Sequence, residues 1–320
     1  MIPLAGGGFM ERDAKILLTG QEGMISSATL RHLSKSGFTN VIRGTSAELD
    51  LIDQKTVREF FCEERPDYVF LTAGKSGGIM ANIRHSAEFI YNNLQTQTNI
   101  IHSAWMAGVR KLLFLASSCI YPKGCPQPMK EDYLLSGKVE PTSEAYAIAK
   151  IAGIKMCQSY NSQYGTNFIC AVPADIYGPD DDFDLETSHV LAALIRKLHE
   201  AKVHNQEKVI VWGTGSPRRE FLHVDDLADA CVFLINNYDR NEIVNVGFGE
   251  DVSIRELALM TRDIVGFSGD IVFDESKPNG ALRKFLDSQR LRKTGWTPKI
   301  GLEEGIKRTY EWYILRGGAS

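Results

Sequence analysis

Short apolar runs alternate with longer amphipathic segments along the first half of the chain. Five runs predict buried strands: Lys15–Thr19, Val41–Arg43, Tyr68–Leu71, Lys111–Ala116 and Asn167–Val172. The segments between them have apolar residues at helical spacing, after Gly20 to about Lys35 and at about 54–64, 86–107 and 144–164. This alternation of strand and helix predicts an α/β fold built on a doubly wound parallel Rossmann sheet.

The pattern changes after Pro173. A turn-rich stretch leads to a predicted helix from about Ser188 to Lys202, a strand within residues 208–221 and a helix with Asp225 as its N-cap. A strand at Ile243–Val246 and two late helices follow. These segments predict two interleaved units. A dinucleotide-binding domain takes residues 14–175 and 222–248, and a smaller α/β C-terminal lobe takes residues 176–221 and 249–316.

Composition narrows the class of protein. With 43% hydrophobic residues, 24% charged residues and a net charge of -4, the chain has the profile of a soluble globular protein, without a nucleic-acid surface or a membrane span. Residues 1–13 are short, contain glycine and lack the cationic start of a signal peptide, so they are predicted to be a disordered leader. Six cysteines without a C-x-x-C pair predict reduced thiols in a cytoplasm and no metal site.

A glycine turn follows the first predicted strand. Gly20-x-x-Gly23 opens a helix, and such a turn presents backbone N–H groups to a pyrophosphate. The predicted cofactor contacts in this turn are Gly20, Gln21, Glu22, Gly23, Met24 and Ile25. Ser26 stands where a full three-glycine pattern has its last glycine.

The cofactor preference depends on the end of the second strand. Arg43, with no acidic residue before Glu48, favours the 2′-phosphate of NADP. Glu22 would repel that phosphate if it points inward, so NAD stays possible. Asp50 and Leu51 are candidates to lie beside the adenine, although a loop aspartate is more often a solvated cap.

Three polar side chains have the spacing of a reductase site. Tyr146 and Lys150 lie four residues apart, on one face of a predicted helix, where an ammonium can favour the phenolate. Ser117 follows a buried strand and can bind the carbonyl that Tyr146 protonates. This pair arises by chance in many helices, but its combination with the glycine turn and Ser117 favours catalysis.

These motifs resemble the extended short-chain dehydrogenase/reductase superfamily. Longer stretches are similar to one of its families, the GDP-L-fucose synthases, and the likeness extends over nearly the whole chain from Lys15. They include "SSCIYPKGCPQPMKED" (117–132), "SHVLAALIRKLHEA" (188–201), "VWGTGSPRREFLHVDD" (211–226) and "VFDESKPNGALRKFLD" (272–287).

The resemblance implies an NADPH-dependent enzyme. That family epimerises GDP-4-keto-6-deoxy-D-mannose at C3 and C5 and then reduces C4. Its proton carriers match Cys119 and His189, whose ordinary pKa values suit exchange near neutrality. Which of the two is the acid stays open, and without the resemblance Cys119 would be interpreted as a small buried hydrophobe.

The resemblance also implies the ligand contacts. Further cofactor contacts are Ala73, Pro173, Asp175, Ile176 and His189, together with Tyr146 and Lys150. Substrate contacts are Ser118, Asp175, Val190, Lys197, Trp212, Arg219, Asn279 and Lys284. The helices near 86–107 and 144–164 are expected to pair in a homodimer.

The chain departs from the family pattern near the ligands. Asp175 replaces an asparagine, Lys197 stands where the family tends to have arginine, and Glu22 replaces a basic residue. One alternative is therefore the same chemistry on a related GDP-4-keto-sugar, such as a heptose or colitose precursor, with or without epimerisation. A second is a non-catalytic dinucleotide-sensing protein, against which the intact Ser117, Tyr146 and Lys150 argue.

Overall fold

The computed structural model describes residues 9–20, 23–44, 49–277 and 279–317. Its strands are β1 (Ile16–Leu18), β2 (Val41–Arg43), β3 (Tyr68–Leu71), β4 (Lys111–Leu115), β5 (Phe168–Pro173), β6 (Asp175–Tyr177), β7 (Lys208–Trp212), β8 (Arg218–Arg219), β9 (Phe221–His223), β10 (Val244–Val246), β11 (Val252–Ser253), β12 (Asp270–Asp274) and β13 (Arg283–Lys284). Its helices are α1 (Met24–Lys35), α2 (Gln54–Glu64), α3 (Ile79–Arg84), α4 (Ser86–Met106), α5 (Glu144–Tyr164), α6 (Val190–Val203), α7 (Val224–Asn237), α8 (Ile254–Val265), α9 (Gln289–Arg292) and α10 (Leu302–Leu315).

Six strands form the predicted parallel sheet, in the order β10-β5-β4-β3-β1-β2. All five pairings are parallel, and β1, β3, β4 and β5 are buried along their whole length. A strand covered by helices on both faces is apolar at nearly every position, which explains the apolar runs. The exception in β4 is its buried first residue, Lys111, whose Nζ pairs with Asp239 Oδ1 at 2.7 Å. The Rossmann-like α/β fold is thereby confirmed.

A second buried core belongs to the C-terminal part of the chain. Side chains of α6, α8 and α10 pack there around Val209 and Val211 of β7 and Phe221 of β9. The pair β7–β12 is parallel, and a three-stranded sheet has the order β11-β8-β13. Residues just before α6 line a cavity together with residues at the carboxyl ends of the large sheet.

Several predictions differ from the structure in detail. His223, rather than Asp225, is the N-cap of α7, because its Nδ1 accepts the Asp225 backbone N–H at 3.2 Å. Periodicity did not reveal the six-residue α3, which is too short to show a repeat. Leu286, Leu291 and Trp296, predicted within the smaller lobe, pack in the core of the large sheet. The division into two domains otherwise stays a prediction.

The predicted leader is shorter than expected. Met10 is buried, and its backbone N–H donates to Asn236 Oδ1 at 2.7 Å. Glu11 accepts hydrogen bonds from Tyr68 and Arg110. Residues 10–13 therefore belong to the folded part, and residues 1–8 lie outside the described residues. Among the helices described, none is long and apolar enough to cross a membrane.

Candidate active site

A cavity of about 350 Å³ opens at the carboxyl ends of β1, β3, β4 and β5, where ligands bind in open α/β sheets. It brings together many of the predicted site residues: Gly20, Gly23, Met24, Ile25, Ala73, Ser117, Tyr146, Lys150, Pro173, Asp175, Ile176 and His189. Sequence-distant segments thus meet in one cleft, because parallel strands end at the same edge of the sheet.

The glycine turn fits a dinucleotide. Gly20 has φ +89°, and a Cβ there would lie 3.1 Å from the backbone N and Cα of Ala73. Gly23 caps α1, whose first turn holds no acidic side chain, so backbone N–H groups can face an anion. The Ser26 hydroxyl donates to the carbonyls of Gly20 and Gly23 and so ties the turn to the start of α1. Gln21 and Glu22 lie outside the described residues.

Ser117, Tyr146 and Lys150 lie together at the end of β4. Burial and the nearby Cys119 raise the pKa of Tyr146, whereas a hydrogen bond with Ser117 lowers it. Burial lowers the pKa of Lys150 to about 8. Lys150 Nζ donates to the Leu115 carbonyl at 3.0 Å and lies 5.7 Å from the centre of the Tyr146 ring. Burial outweighs the hydrogen bond with Ser117, so the pKa of Tyr146 stays above its usual value.

His189 lines the same cavity, and Cys119 lies next to it, because its backbone N–H donates to the cavity-lining Ser117 Oγ at 3.4 Å. Burial raises the pKa of Cys119, and this rise is opposed by the Ser117 hydrogen bond and by the Lys284 and Lys150 ammonium groups. Burial lowers the pKa of His189, while the Asp175 carboxylate raises it. Both groups are therefore neutral near pH 7, and either form can accept or give a proton after a modest change in its surroundings.

Cations gather on the side of the smaller core. Lys284 Nζ lies 3.3 Å from Asp175 Oδ1, and Arg219 Nε lies 3.9 Å from Asp175 Oδ2. Ser118 lines a small crevice with Asp175 and Lys284. The sequence analysis thus identified Asp175, Arg219 and Lys284 as site residues, but it did not indicate that these charges pair with one another.

An exposed aromatic platform lies farther out. The ring of Trp212 is 51% exposed, with Lys197 Nζ 5.9 Å and Lys277 Nζ 5.6 Å from its centre. Asn279 Oδ1 accepts from the Thr214 backbone N–H at 2.8 Å and so fastens this loop to the turn after β7. Asn279, predicted as a substrate contact, therefore also has a structural role in this loop.

The predicted residues that do not line the main cavity include Arg43, Asp50, Leu51 and Val190. Arg43 ends β2, and Asp50 Oδ1 accepts the Ile52 backbone N–H at 3.0 Å. The Leu51 carbonyl accepts from Asn99, and Val190 packs against the smaller core. The ligand roles of these residues stay a prediction from the motif match.

The cavity also contains residues that sequence reasoning missed. They come from the loops after β3 and before α6: Thr72, Gly74, Ser76, Gly77, Asp180, Asp181, Asp182, Thr187 and Ser188. Gly77 and Gly78 were a usable signal, because a Cβ on Gly78 would lie 2.8 Å from the Ser188 carbonyl. Among the described residues, no group of three or more His, Cys, Asp or Glu side chains could hold a metal ion.

Comparison with known proteins identifies the family. Residues 16–247 match the model of the NAD dependent epimerase/dehydratase family. The chain is 55% identical to GDP-L-fucose synthase 1 of Arabidopsis thaliana over 304 residues, which cover 95% of this chain and 94% of that one.

Solved structures agree with this match. A GDP-6-OMe-4-keto-L-xylo-heptose reductase from C. jejuni has a TM-score of 0.93 at 41% identity, covering 97% of this chain and 100% of its own. A GDP-L-fucose synthetase from Naegleria fowleri bound to NADP has a TM-score of 0.90 at 28% identity, covering 98% and 96%. The chain therefore belongs to the NAD dependent epimerase/dehydratase family, among relatives that include the GDP-L-fucose synthases.

Proposed function

We propose that this protein is an NADPH-dependent epimerase/reductase that converts GDP-4-keto-6-deoxy-D-mannose to GDP-L-fucose. One observation carries the proposal: the glycine turn, Ser117, Tyr146, Lys150 and His189 line one cavity, and Cys119 adjoins them. The names of the relatives support the substrate, and the relative that holds NADP supports the cofactor.

Reduction needs a proton at the oxygen of C4. NADPH, when bound at the glycine turn, supplies the hydride to that carbon. Tyr146 stays protonated at neutral pH because its pKa is raised, so it is ready to give its proton to the oxygen. Ser117 orients that oxygen by a hydrogen bond, and the charged Lys150 stabilises the phenolate that Tyr146 leaves behind.

Epimerisation needs a base on one face of the sugar ring and an acid on the other. The 4-keto group acidifies the hydrogens at C3 and C5, so one pair of groups can serve both carbons. Cys119 and His189 are that pair. Ser117 and Tyr146 then stabilise the enolate oxygen, which occupies the position of the C4 carbonyl oxygen in both reactions.

Isotope exchange tests the proposal. The enzyme is incubated with GDP-4-keto-6-deoxy-D-mannose in heavy water, with and without NADPH, and the sugar is followed by proton NMR. We expect deuterium at C3 and C5 in both cases and GDP-L-fucose only with NADPH. Tyr146→Phe should lower the rate of reduction by roughly 10²- to 10⁴-fold. A C4-reduced product with protons retained at C3 and C5 would contradict epimerisation.

A second candidate is a C4-reductase of a related GDP-4-keto-sugar. The observation in its favour is the 0.93 TM-score with the heptose reductase, together with Asp175 in place of the usual amide. Parallel assays with GDP-4-keto-heptose and 3-deoxy sugars, compared by kcat/KM, distinguish the two candidates.

We further propose a homodimer formed through α4 and α5. Both helices carry exposed large hydrophobic side chains, Tyr91 and Met106 on α4 and Ile148 and Tyr164 on α5. Burial of such side chains against a second copy would remove apolar surface from water. Sedimentation should give twice the chain mass, and Ile148→Asp should give the mass of one chain. The six free cysteines also support a cytoplasmic location, which cell fractionation tests.

A further inference from the structure

Two pairs of cations lie on opposite faces of one short ladder. Strands β8 and β13 are parallel and in register, with Arg218 opposite Arg283 and Arg219 opposite Lys284. Successive side chains of a strand point to opposite faces, so each face carries one residue from each strand. Each face also has one aspartate.

The outer face is neutralised by Asp251. Arg218 Nε lies 3.1 Å from Asp251 Oδ1, and Arg283 Nε contacts Asp251 Oδ2. The Asp251 side chain is only 7% exposed and lies away from both cavities described above. This charge cluster is structural. Asp251 can therefore serve as a control for the aspartate on the other face.

The inner face is neutralised by Asp175. Its carboxylate pairs with Lys284 at 3.3 Å and with Arg219 at 3.9 Å, and its side chain stays 33% exposed because it lines the active-site cavity. Burial opposes ionisation, yet Lys284, Arg219 and His189 hold the pKa of Asp175 below its usual value. Asp175 is therefore a carboxylate anion beside the two cations that a nucleotide sugar would use.

We propose that Asp175 is an internal competitor of the substrate's phosphates. It neutralises Arg219 and Lys284 in the absence of ligand and releases them when the pyrophosphate of the nucleotide sugar binds. The inference rests on the proposed function in one respect, that a nucleoside diphosphate binds at these cations.

Removal of the Asp175 carboxylate should strengthen the binding of a diphosphate. Without the carboxylate, a pair of half-buried cations has no nearby anion and attracts a diphosphate more strongly. The bound diphosphate must displace Asp175 in the natural protein, and this displacement costs part of its binding free energy. Neutralising residue 175 should therefore tighten the binding of GDP, whereas a purely structural aspartate would weaken it on removal.

Calorimetric titration with GDP tests this, using the full chain without NADPH. We expect Asp175→Asn to lower the Kd for GDP on the order of tenfold, which corresponds to about 1.4 kcal/mol. The matched control Asp251→Asn removes the same charge from the opposite face and should leave Kd within about twofold. In a Lys284→Gln background, where one cation is gone, the gain from Asp175→Asn should shrink.

Other results overturn the inference. An unchanged or higher Kd in Asp175→Asn, or an equal gain in Asp251→Asn, contradicts competition. Asp175→Ser is a second neutral variant, and thermal unfolding verifies that each variant is folded. A separate measurement tests the proposed function: if the enzyme does not turn over GDP-4-keto-sugars, the proposed function is wrong, whatever the result for Asp175. If the protein binds inorganic pyrophosphate but not GDP, the substrate class is wrong, and the tenfold gain must then be found with pyrophosphate.

Discussion

Lys150 shows how the position of a single side chain determines its chemistry. Four-residue spacing on a helix predicts that it lies near Tyr146, and the two do line one cavity. Sequence could not reveal that Lys150 Nζ donates to the Leu115 carbonyl, because Leu115 is 35 residues away. The burial that follows from this position brings the pKa of Lys150 down to about 8.

The pH dependence of reduction should report this pKa. As pH rises through about 8, Lys150 loses the charge that stabilises the Tyr146 phenolate, so kcat should fall, approaching roughly tenfold per pH unit. The measurement is kcat from pH 6 to 10 with saturating NADPH. Lys150→Met, which has no charge to lose, should be slow and lack this break. A break near pH 8 that persists in Lys150→Met contradicts the assignment.

At the scale of elements, turns decide where the ligands can lie. The apolar runs predicted the strands of the large sheet to within one or two residues, because a doubly covered strand has few polar positions. The glycine turn after β1 was equally visible in the sequence. Its closure by the Ser26 hydroxyl was not, because the hydrogen bonds of that hydroxyl depend on the turn conformation.

Two glycine variants test whether the turn must pack closely against Ala73, which follows β3. Gly20 and Gly108 both have positive φ, +89° and +73°, but a Cβ on Gly108 has no atom within 4 Å. Gly108→Ala should cost about 1–2 kcal/mol of unfolding free energy from backbone strain alone. Gly20→Ala should cost more and raise the Kd for NADPH on the order of tenfold, because the turn must move away from Ala73. Fluorescence titration and urea unfolding measure both, and equal NADPH affinities contradict the interpretation.

At the scale of the whole molecule, Glu220 connects segments that are far apart in sequence. Its Oε1 accepts the Gly249 N–H at 2.7 Å, and its Oε2 accepts the Leu286 N–H at 2.9 Å. The side chain is 1% exposed, and burial raises the pKa of Glu220 to about 7. The carboxyl group thus holds together the connections between the two cores.

This raised pKa makes stability depend on pH. The folded protein keeps the Glu220 proton up to about pH 7, whereas the unfolded chain releases it near the ordinary value of about 4.3. The contribution of Glu220 is therefore fully present below that ordinary value and is lost as pH rises toward 7. Between pH 4.5 and 8, the unfolding free energy should fall relative to Glu220→Gln by roughly 2–3 kcal/mol. Urea unfolding at both pH values measures the difference, and a constant difference contradicts the assignment.

Local periodicity and motif spacing were enough to predict the sheet, the cofactor turn and the Ser117, Tyr146 and Lys150 group. The pairing of charges, in contrast, depends on the folded chain. Asp175 meets Lys284 across 109 residues, and the register of β8 with β13 places Arg218 beside Arg283 and Arg219 beside Lys284. Such pairings follow from long-range strand register and burial, which no local pattern in the chain encodes.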